Sequence, residues 1–220
     1  TTQPVVTAQD AAGNTDADFT ETVTITEASA GALTNNTQAA AAGVATFSNL
    51  TYTASADGEA FTLTANDQDG VGSDLPTANA SSINADVVAI QLVFTTQPAP
   101  LNPTSGTALD FTTDPVVEAH DANGIKDTDF TDTITLTETG SGSATYTNNV
   151  VSATAGVATF TGMTVAYTAT ANAETFALQA DDTAGGSEGD ITTLPTSSSI
   201  TAYTLNTDGA LTAASGITEP

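Results

Sequence analysis

The sequence predicts an all-β chain folded as two like antiparallel sandwiches in tandem. Three observations carry the prediction. The stretch Pro4–Ala28, PVVTAQDAAGNTDADFTETVTITEA, returns as Pro115–Thr139, PVVEAHDANGIKDTDFTDTITLTET, at a constant offset of 111 residues. Asp10 recurs as Asp121, Gly13 as Gly124, Asp16 as Asp127, Asp18 as Asp129 and Phe19 as Phe130. Within each copy, runs that alternate Val, Ile or Leu with Thr flank a loop of Asp, Asn and Gly, the pattern of two half-buried strands around a turn. Thr makes up about a fifth of the chain, and no window sustains a helical period. A β unit repeated at about a hundred residues is a tandem array of domains, and 220 residues suffice for two.

In chain order, residues 4–10 and 18–28 read as the first two strands, with Phe19, Val23 and Ile25 directed inward. Asn35-Asn36-Thr37 marks a turn. Residues 43–53, GVATFSNLTYT, read as a strand opened by Gly43, with Val44, Phe47 and Leu50 in the core; their copy starts at Gly156, two residues further offset. Residues 59–67, EAFTLTAND, alternate Phe61, Leu63 and Ala65 and recur from Glu174. SSINADVV (81–88) closes the repeat and is matched by residues 198–205. About six short strands separated by turn signals fit a sandwich of immunoglobulin type, so the expected fold class is all-β with two tandem immunoglobulin-like antiparallel β-sandwiches.

Residues 89–114 precede the second copy, with QLVFTTQP as its opening strand and PAPLNPTSG as a Pro-rich bend to a new edge. The first copy has no such segment, because Thr1–Pro4 aligns with Thr112–Pro115. The expected domains are therefore 1–88, lacking its opening strand, and 89–205, with 206–220 as a C-terminal tail. Two explanations stay open: an array cut out of frame with its domains, or donor-strand assembly, in which the tail of one copy fills the edge of the next.

The charge balance narrows the partners. One Lys, no Arg and 26 acidic residues give a formal net charge of −25. Such self-repulsion is tolerated when cations screen or bind the acids. It disfavours nucleic acid and anionic membrane, both of which need cationic surface. Either a solvated acidic surface suited to salt or divalent-metal binding at particular loops accounts for it. There are no cysteines, so disulfides, thiolate metal sites and cysteine catalysis do not arise. No run approaches the ~20 apolar residues of a membrane helix. The opening TTQPVV has neither the basic nor the apolar part of a leader, which points to a removed leader or to a segment of a longer chain.

The pattern V-x-A-x-D-x-x-G-N, then D-F-x-x-T-V-T-I-T, G-V-A-T-F-x-x-L and F-T-L-T-A resembles the bacterial immunoglobulin-like repeats of invasin/intimin-type adhesins and other large surface proteins. It covers about residues 4–88 and 92–205. The second copy reads Gly-Ile-Lys where the first has Gly13-Asn14. The resemblance implies an extracellular or cell-surface setting and a rod of stacked sandwiches that spaces, displays or polymerises. Flanking repeats or further copies of the chain, head to tail, are the implied partners.

Two groups of loops are candidate Ca²⁺ sites. Asp10, Asn14, Asp16 and Asp18, with their copies Asp121, Asn123, Asp127 and Asp129, gather carboxylates and amides at short spacing. Asp67, Asp69 and Asp74 follow the penultimate strand, and Asp181, Asp182 and Asp190 (with Glu188) match them. Ca²⁺ takes roughly six to eight oxygens at about 2.3–2.6 Å, which flexible Asp/Asn/Gly loops can supply. Neither loop of the first group has EF-hand spacing, and the same residue types also serve simply as turn formers. If the Asp10 and Asp67 loops converge at one pole, an ion there would stiffen the junction with the neighbouring domain.

Enzymatic readings find no support in the residues. His120 is the only histidine, and Gln9 takes its place in the first copy. No Ser/His/Asp set or phosphate loop has the required spacing, and a chain without Trp lacks the aromatic lining of a sugar cleft. Lys–Asn isopeptide stiffening needs a Lys in each domain, and Lys126 is the only one. Asn35, Asn49 and Asn79 lie in N-x-S/T sequons. The expected function is a structural subunit or stalk segment of an extracellular filament or adhesin. The alternatives are an adhesin module binding a surface glycan or protein, and a surface-layer lattice protein.

Overall fold

The computed structural model describes residues 2–67, 74–186 and 189–204. Over these residues the chain is all-β, and it divides into two compact units, Thr1–Val87 and Val88–Pro220. Asp69, Glu188 and the tail 206–220 lie outside the described residues.

Unit 1 runs through β1 (Val5–Thr7), β2 (Thr22–Thr26), β3 (Ala32–Thr34), β4 (Thr37–Ala39), β5 (Val44–Thr46), β6 (Thr51–Thr53), β7 (Ala60–Phe61), β8 (Thr64–Asn66), β9 (Ala78–Asn79) and β10 (Ile83–Asn84). Its pairings are β1–β5, β3–β6, β7–β10 and the ladder β4–β2–β8–β9. Unit 2 runs through β11 (Gln91–Thr96), β12 (Ala108–Asp110), β13 (Val116–His120), β14 (Thr133–Glu138), β15 (Ser143–Thr147), β16 (Val150–Ser152), β17 (Val157–Thr159), β18 (Thr164–Thr168), β19 (Glu174–Phe176), β20 (Leu178–Asp182) and β21 (Ile200–Ala202). Here β11–β13–β17, β12–β18–β15, β16–β14–β20 and β19–β21 pair. Every ladder is antiparallel.

The pairings of unit 1 map onto those of unit 2: β1 on β13, β5 on β17, β6 on β18, β3 on β15, β2 on β14 and β8 on β20. Unit 2 adds two strands, β11 beside β13 and β12 beside β18. Among the described residues, unit 1 has no strand in either place. The cores differ accordingly. Unit 2 buries Leu92 and Phe111 from the added segment together with Val117, Phe130, Ile134 and Phe160. Unit 1 buries Val23, Ile25, Ala40, Ala45, Phe47, Leu50 and Ala65.

The strands are shorter than the sequence suggests, and two of the expected ones divide. Residues 43–53 break into β5 and β6, because the amide of Phe47 bonds the carbonyl of Pro4 and Leu50 bonds the Gln3 side chain in both directions. The inward residues of β5 are Ala45 and Phe47, with Val44 only half-buried. Val44 and Phe47 are three apart, so one pleated strand cannot place both on the same face. Residues 59–67 likewise divide into β7 and β8. Val23, Ile25, Phe61 and Ala65 are buried as the alternation requires, and Phe19 packs half-buried against the core.

Glycine is required where each Asp loop meets the next strand. Gly43 and Gly156 take φ of +79° and +73°, and a Cβ would lie 2.2 Å and 2.0 Å from the carbonyl oxygens of Asp16 and Asp127. Gly156 donates to the Phe130 carbonyl and accepts from the Ala119 amide, and Gly43 does the same with Phe19 and Ala8.

Candidate metal centre

The Asp10 and Asp121 loops are tied together by their own carboxylates. Asp10 Oδ1 accepts the amides of Ala12 (2.9 Å) and Asn14 (2.8 Å), and Oδ2 accepts the Asn14 side chain at 3.0 Å. Asp121 does the same with the amides of Asn123 and Ile125, both at 2.8 Å, and with the Asn123 side chain at 2.9 Å. The Asn14 side-chain and backbone donors hold the Asp10 carboxyl below its ordinary value. Burial pushes Asp121 up, but the Ile125 and Asn123 donors outweigh it and leave the group low. These aspartates therefore already meet donors on both oxygens.

The next aspartate in each loop has a different fate in the two units. Asp127 is fully buried: Oδ1 accepts the amides of Asp129 (3.1 Å) and Phe130 (2.9 Å), and Oδ2 accepts that of Ala89 at 2.8 Å. Its carboxylate thus pins the start of the added segment to the loop. Among the described residues the Asp16 carboxylate accepts only the Asp18 amide, at 3.0 Å, and is exposed.

The second acidic group is the better candidate for a cation. Asp182 ends β20 and is buried, while Asp181 and Asp190 are exposed; one carboxylate oxygen from each lies within 4.8 Å of the others. Two oxygens on one Ca²⁺ are at most about 5 Å apart, given Ca–O distances of about 2.3–2.6 Å. Asp182 Oδ1 accepts the Ile191 amide at 3.1 Å, which draws Asp190 toward the strand end. Burial, then the charges of Asp190 and Asp181, push the Asp182 carboxyl above its ordinary value.

Unit 1 repeats the clamp on the buried aspartate. Asp67 follows β8 and is 9% exposed; Oδ2 accepts the Leu75 amide at 3.1 Å, as Asp182 accepts that of Ile191. Its Oδ1 is buried and makes no hydrogen bond among the described residues. A buried carboxylate oxygen without a donor is costly unless a cation meets it. Asp74, exposed, corresponds to Asp190, and Asn66 corresponds to Asp181. Leu75 also lines a cleft of about 430 Å³ with Asp10, Asn14 and Asp16, so the two loops of unit 1 meet at one end of that unit.

A third motif, not singled out in the sequence, also occurs twice. Glu174 accepts the Tyr167 hydroxyl at 2.7 Å, the Ser141 amide at 3.0 Å and the Thr170 hydroxyl at 2.8 Å. The Tyr167 hydroxyl first, then the Thr170 donors, hold its carboxyl at about 2 against the opposing effect of burial. Glu59 accepts the amides of Ser55 and Ala30 at 2.7 and 2.9 Å and is also held at about 2. Tyr52 stacks on Phe61 at 3.8 Å, and Tyr167 on Phe176 at 4.1 Å. The repeated spacing Y-x₆-E-x-F, from Tyr52 and from Tyr167, is the signal that would have found them. His120 lies in β13 with its Nε2 3.0 Å from Glu118.

No protein-family model matches the chain, and no curated protein matches it in sequence. Among solved structures, the chain is similar to the D0–D1 domain of intimin at 14% identity, with a TM-score of 0.29, over 90% of this chain and 87% of that one. It is also similar to a glycosyl hydrolase family 2 member from Bacteroides cellulosilyticus at 14% identity and a TM-score of 0.33. A β-glucuronidase from Parabacteroides merdae gives 12% identity and a TM-score of 0.30. Each hydrolase match covers 83% of this chain, which spans only 22% and 21% of those enzymes. Identities this low speak to the fold alone, and superpositions this loose support nothing further.

Proposed function

We propose that the chain is a structural, non-enzymatic segment of an extracellular filament or adhesin stalk, its immunoglobulin-like units stiffened by Ca²⁺ and joined head to tail to further copies by donor-strand exchange. The observation that carries the reading is the buried aspartate that follows β8 and β20, clamped in each unit by one backbone amide. In unit 2 two further carboxylates lie close to it, and in unit 1 one of its buried oxygens meets no donor among the described residues. Asp181, Asp182 and Asp190 would hold the ion in unit 2; Asp67 and Asp74 would hold it in unit 1. When bound, Ca²⁺ supplies the counter-charge for carboxylates that otherwise repel. The remaining loop carboxylates hold their own turns together, which suits a rigid spacer.

The test is a size and morphology measurement on the mature chain in EGTA and in millimolar Ca²⁺. Ordered fibres, with a melting temperature raised by Ca²⁺, are expected. A melting temperature identical in both buffers refutes the metal part. A strictly monomeric chain with a saturable glycan or protein ligand refutes the structural part in favour of an adhesin binding module.

A further inference from the structure

The acids of this chain are not spread evenly. Residues 28–56 in unit 1 and 139–173 in unit 2, which correspond in the repeat, contain no acidic or basic residue, so all 26 carboxylates lie outside these two runs. In unit 2 the run supplies β16, the edge of the ladder β16–β14–β20. Among the described residues no strand pairs its other side.

The hydrogen bonds to β14 fix which way β16 faces. The Leu136 amide bonds the Asn149 carbonyl at 2.8 Å, and the Ala153 amide bonds the Asp132 carbonyl at 3.0 Å. Antiparallel pairing alternates, so Asn149, Val151 and Ala153 turn their main chain toward β14, while Val150 and Ser152 turn theirs outward. Val150 is 55% exposed. The strand is held at both ends: Asn149 Nδ2 donates to the Leu136 carbonyl at 2.9 Å, and the Thr154 amide donates to the Val157 carbonyl at 2.9 Å. An ordered edge with outward amides and carbonyls is a template for another strand. The matching edge of unit 1, β4, is partly used, because Gln38 Nε2 donates to the outward Ala39 carbonyl at 3.2 Å.

We infer that β16 pairs antiparallel with β16 of a second copy, about a two-fold axis at Val151. In that register Val150 of each copy faces Ser152 of the other, and their outward amides and carbonyls bond in pairs. The two ladders become one continuous sheet. The charge pattern names the partner: copies this acidic meet without opposed carboxylates only at an uncharged edge, whereas a cationic partner would go to the acidic loops. Asp181 shares a cross-strand row with Thr135 and Val150, two strands in from the edge. Across the joined sheet the two copies' Asp181 residues stand about 24 Å apart, at about 4.8 Å per strand, some three screening lengths at physiological salt. Asp132, next to the end of β16, turns its carboxyl toward Gly186, beyond β20. This contact ties chains side by side and is independent of the head-to-tail reading above.

The chain has no cysteine, so Val150→Cys and Ser152→Cys can be oxidised without background. Hydrogen-bonded antiparallel pairs have Cα atoms about 5.5 Å apart, within reach of a disulfide, whereas either position lies too far from its own copy. An equal mixture of the two full-length variants should therefore form disulfide dimers at least tenfold faster than either alone. Val150→Pro removes an outward amide and no bond of the β14–β16 ladder. Its sedimentation at millimolar concentration should show association at least tenfold weaker than the parent's, with the melting temperature unchanged. Val150→Asp, which keeps every amide, should weaken association as much through like charge, and it decides the matter if the proline variant unfolds. A mixture that cross-links no faster than its components overturns the pairing. So does a parent chain that stays monomeric at millimolar concentration, or a Val150→Asp chain that associates like the parent. Micrographs read head-to-tail growth separately, so either contact can fail while the other stands.

Discussion

The pair Asp127 and Asp16 lets one substitution be read twice in one molecule. Asp127→Ala removes the acceptor of three amides, two of them, Ala89 and Phe130, in buried hydrogen bonds. A buried donor left without a partner costs roughly 1–3 kcal/mol, so the two together cost about 2–6 kcal/mol. Part is returned because the variant no longer buries a charge, which leaves about 1–4 kcal/mol. For a unit of this size that lowers its midpoint by on the order of 4–16 °C. Asp16→Ala removes one exposed bond, to the Asp18 amide, and should cost under ~1 kcal/mol in the monomer. The assay is urea unfolding of the full chain followed by hydrogen exchange, with peptides from 5–27 reporting unit 1 and from 116–138 reporting unit 2. Equal losses at the two sites in a monomeric chain would refute the reasoning, as would an Asp127→Ala chain as stable as the parent.

Three further outcomes follow from the geometry. If the pocket of unit 2 binds Ca²⁺ with the ~10⁻⁴–10⁻³ M affinity of extracellular modules, 10 mM Ca²⁺ stabilises it by about 1.4–2.7 kcal/mol, and Asp182→Asn with Asp190→Asn removes the increment in calorimetry. The pH dependence has opposite signs at two places: Glu59 and Glu174, held at about 2 against an ordinary 4.5, contribute stability that is present above pH 4.5 and is lost as pH falls toward 2. Asp182, raised above its ordinary 3.8, instead weakens the fold as pH rises through its folded value in EGTA, and Ca²⁺ should abolish that loss; carboxyl ¹³C titration of each side chain checks both signs. Finally, Gly156→Ala places a methyl 2.0 Å from the Asp127 carbonyl at a φ of +73°, and should destabilise unit 2 by more than ~3 kcal/mol, the range of large steric effects, read by urea midpoint; Ala at Gly124, whose Cβ meets nothing within 4 Å, should cost only the ~1–2 kcal/mol of its φ.

The fold was legible because period-two alternation and repetition are both local signals. Val23, Ile25, Phe61 and Ala65 point inward for the reason the alternation gives, that a pleat sends every second side chain to one face. Where the chain bends between those signals, legibility ends. Nothing in GVATFSNLTYT says that Phe47 will bond Pro4 or that Gln3 will bridge Leu50, since both partners lie more than 40 residues away. Among the acidic residues the limit is sharper. Asp10, Asp16, Asp127 and Asp182 are one letter in the sequence, yet they are a turn tie, a half-used acceptor, a buried staple and an arm of a charge cluster. Their distances to amides and to one another separate these roles, and only the fold sets those distances. The Glu59 and Glu174 anchors escaped because a glutamate next to a loop reads as solvated surface until its donors are seen.

The net charge of −25 bears directly on the proposed strand exchange. Like charge keeps copies of the chain apart, and its effect extends about 8 Å at physiological ionic strength. Strand addition brings main chains to about 4.8 Å, well inside that range, so head-to-tail association by strand exchange has to overcome repulsion that a neutral protein would not face. Cations that neutralise the aspartates of the loops lower that barrier. Assembly should therefore rise with NaCl as well as with Ca²⁺, and with Ca²⁺ at far lower concentration. Light scattering against both salts separates the contributions: equal potency per unit ionic strength would assign the whole effect to screening and leave the acidic pockets no part in it.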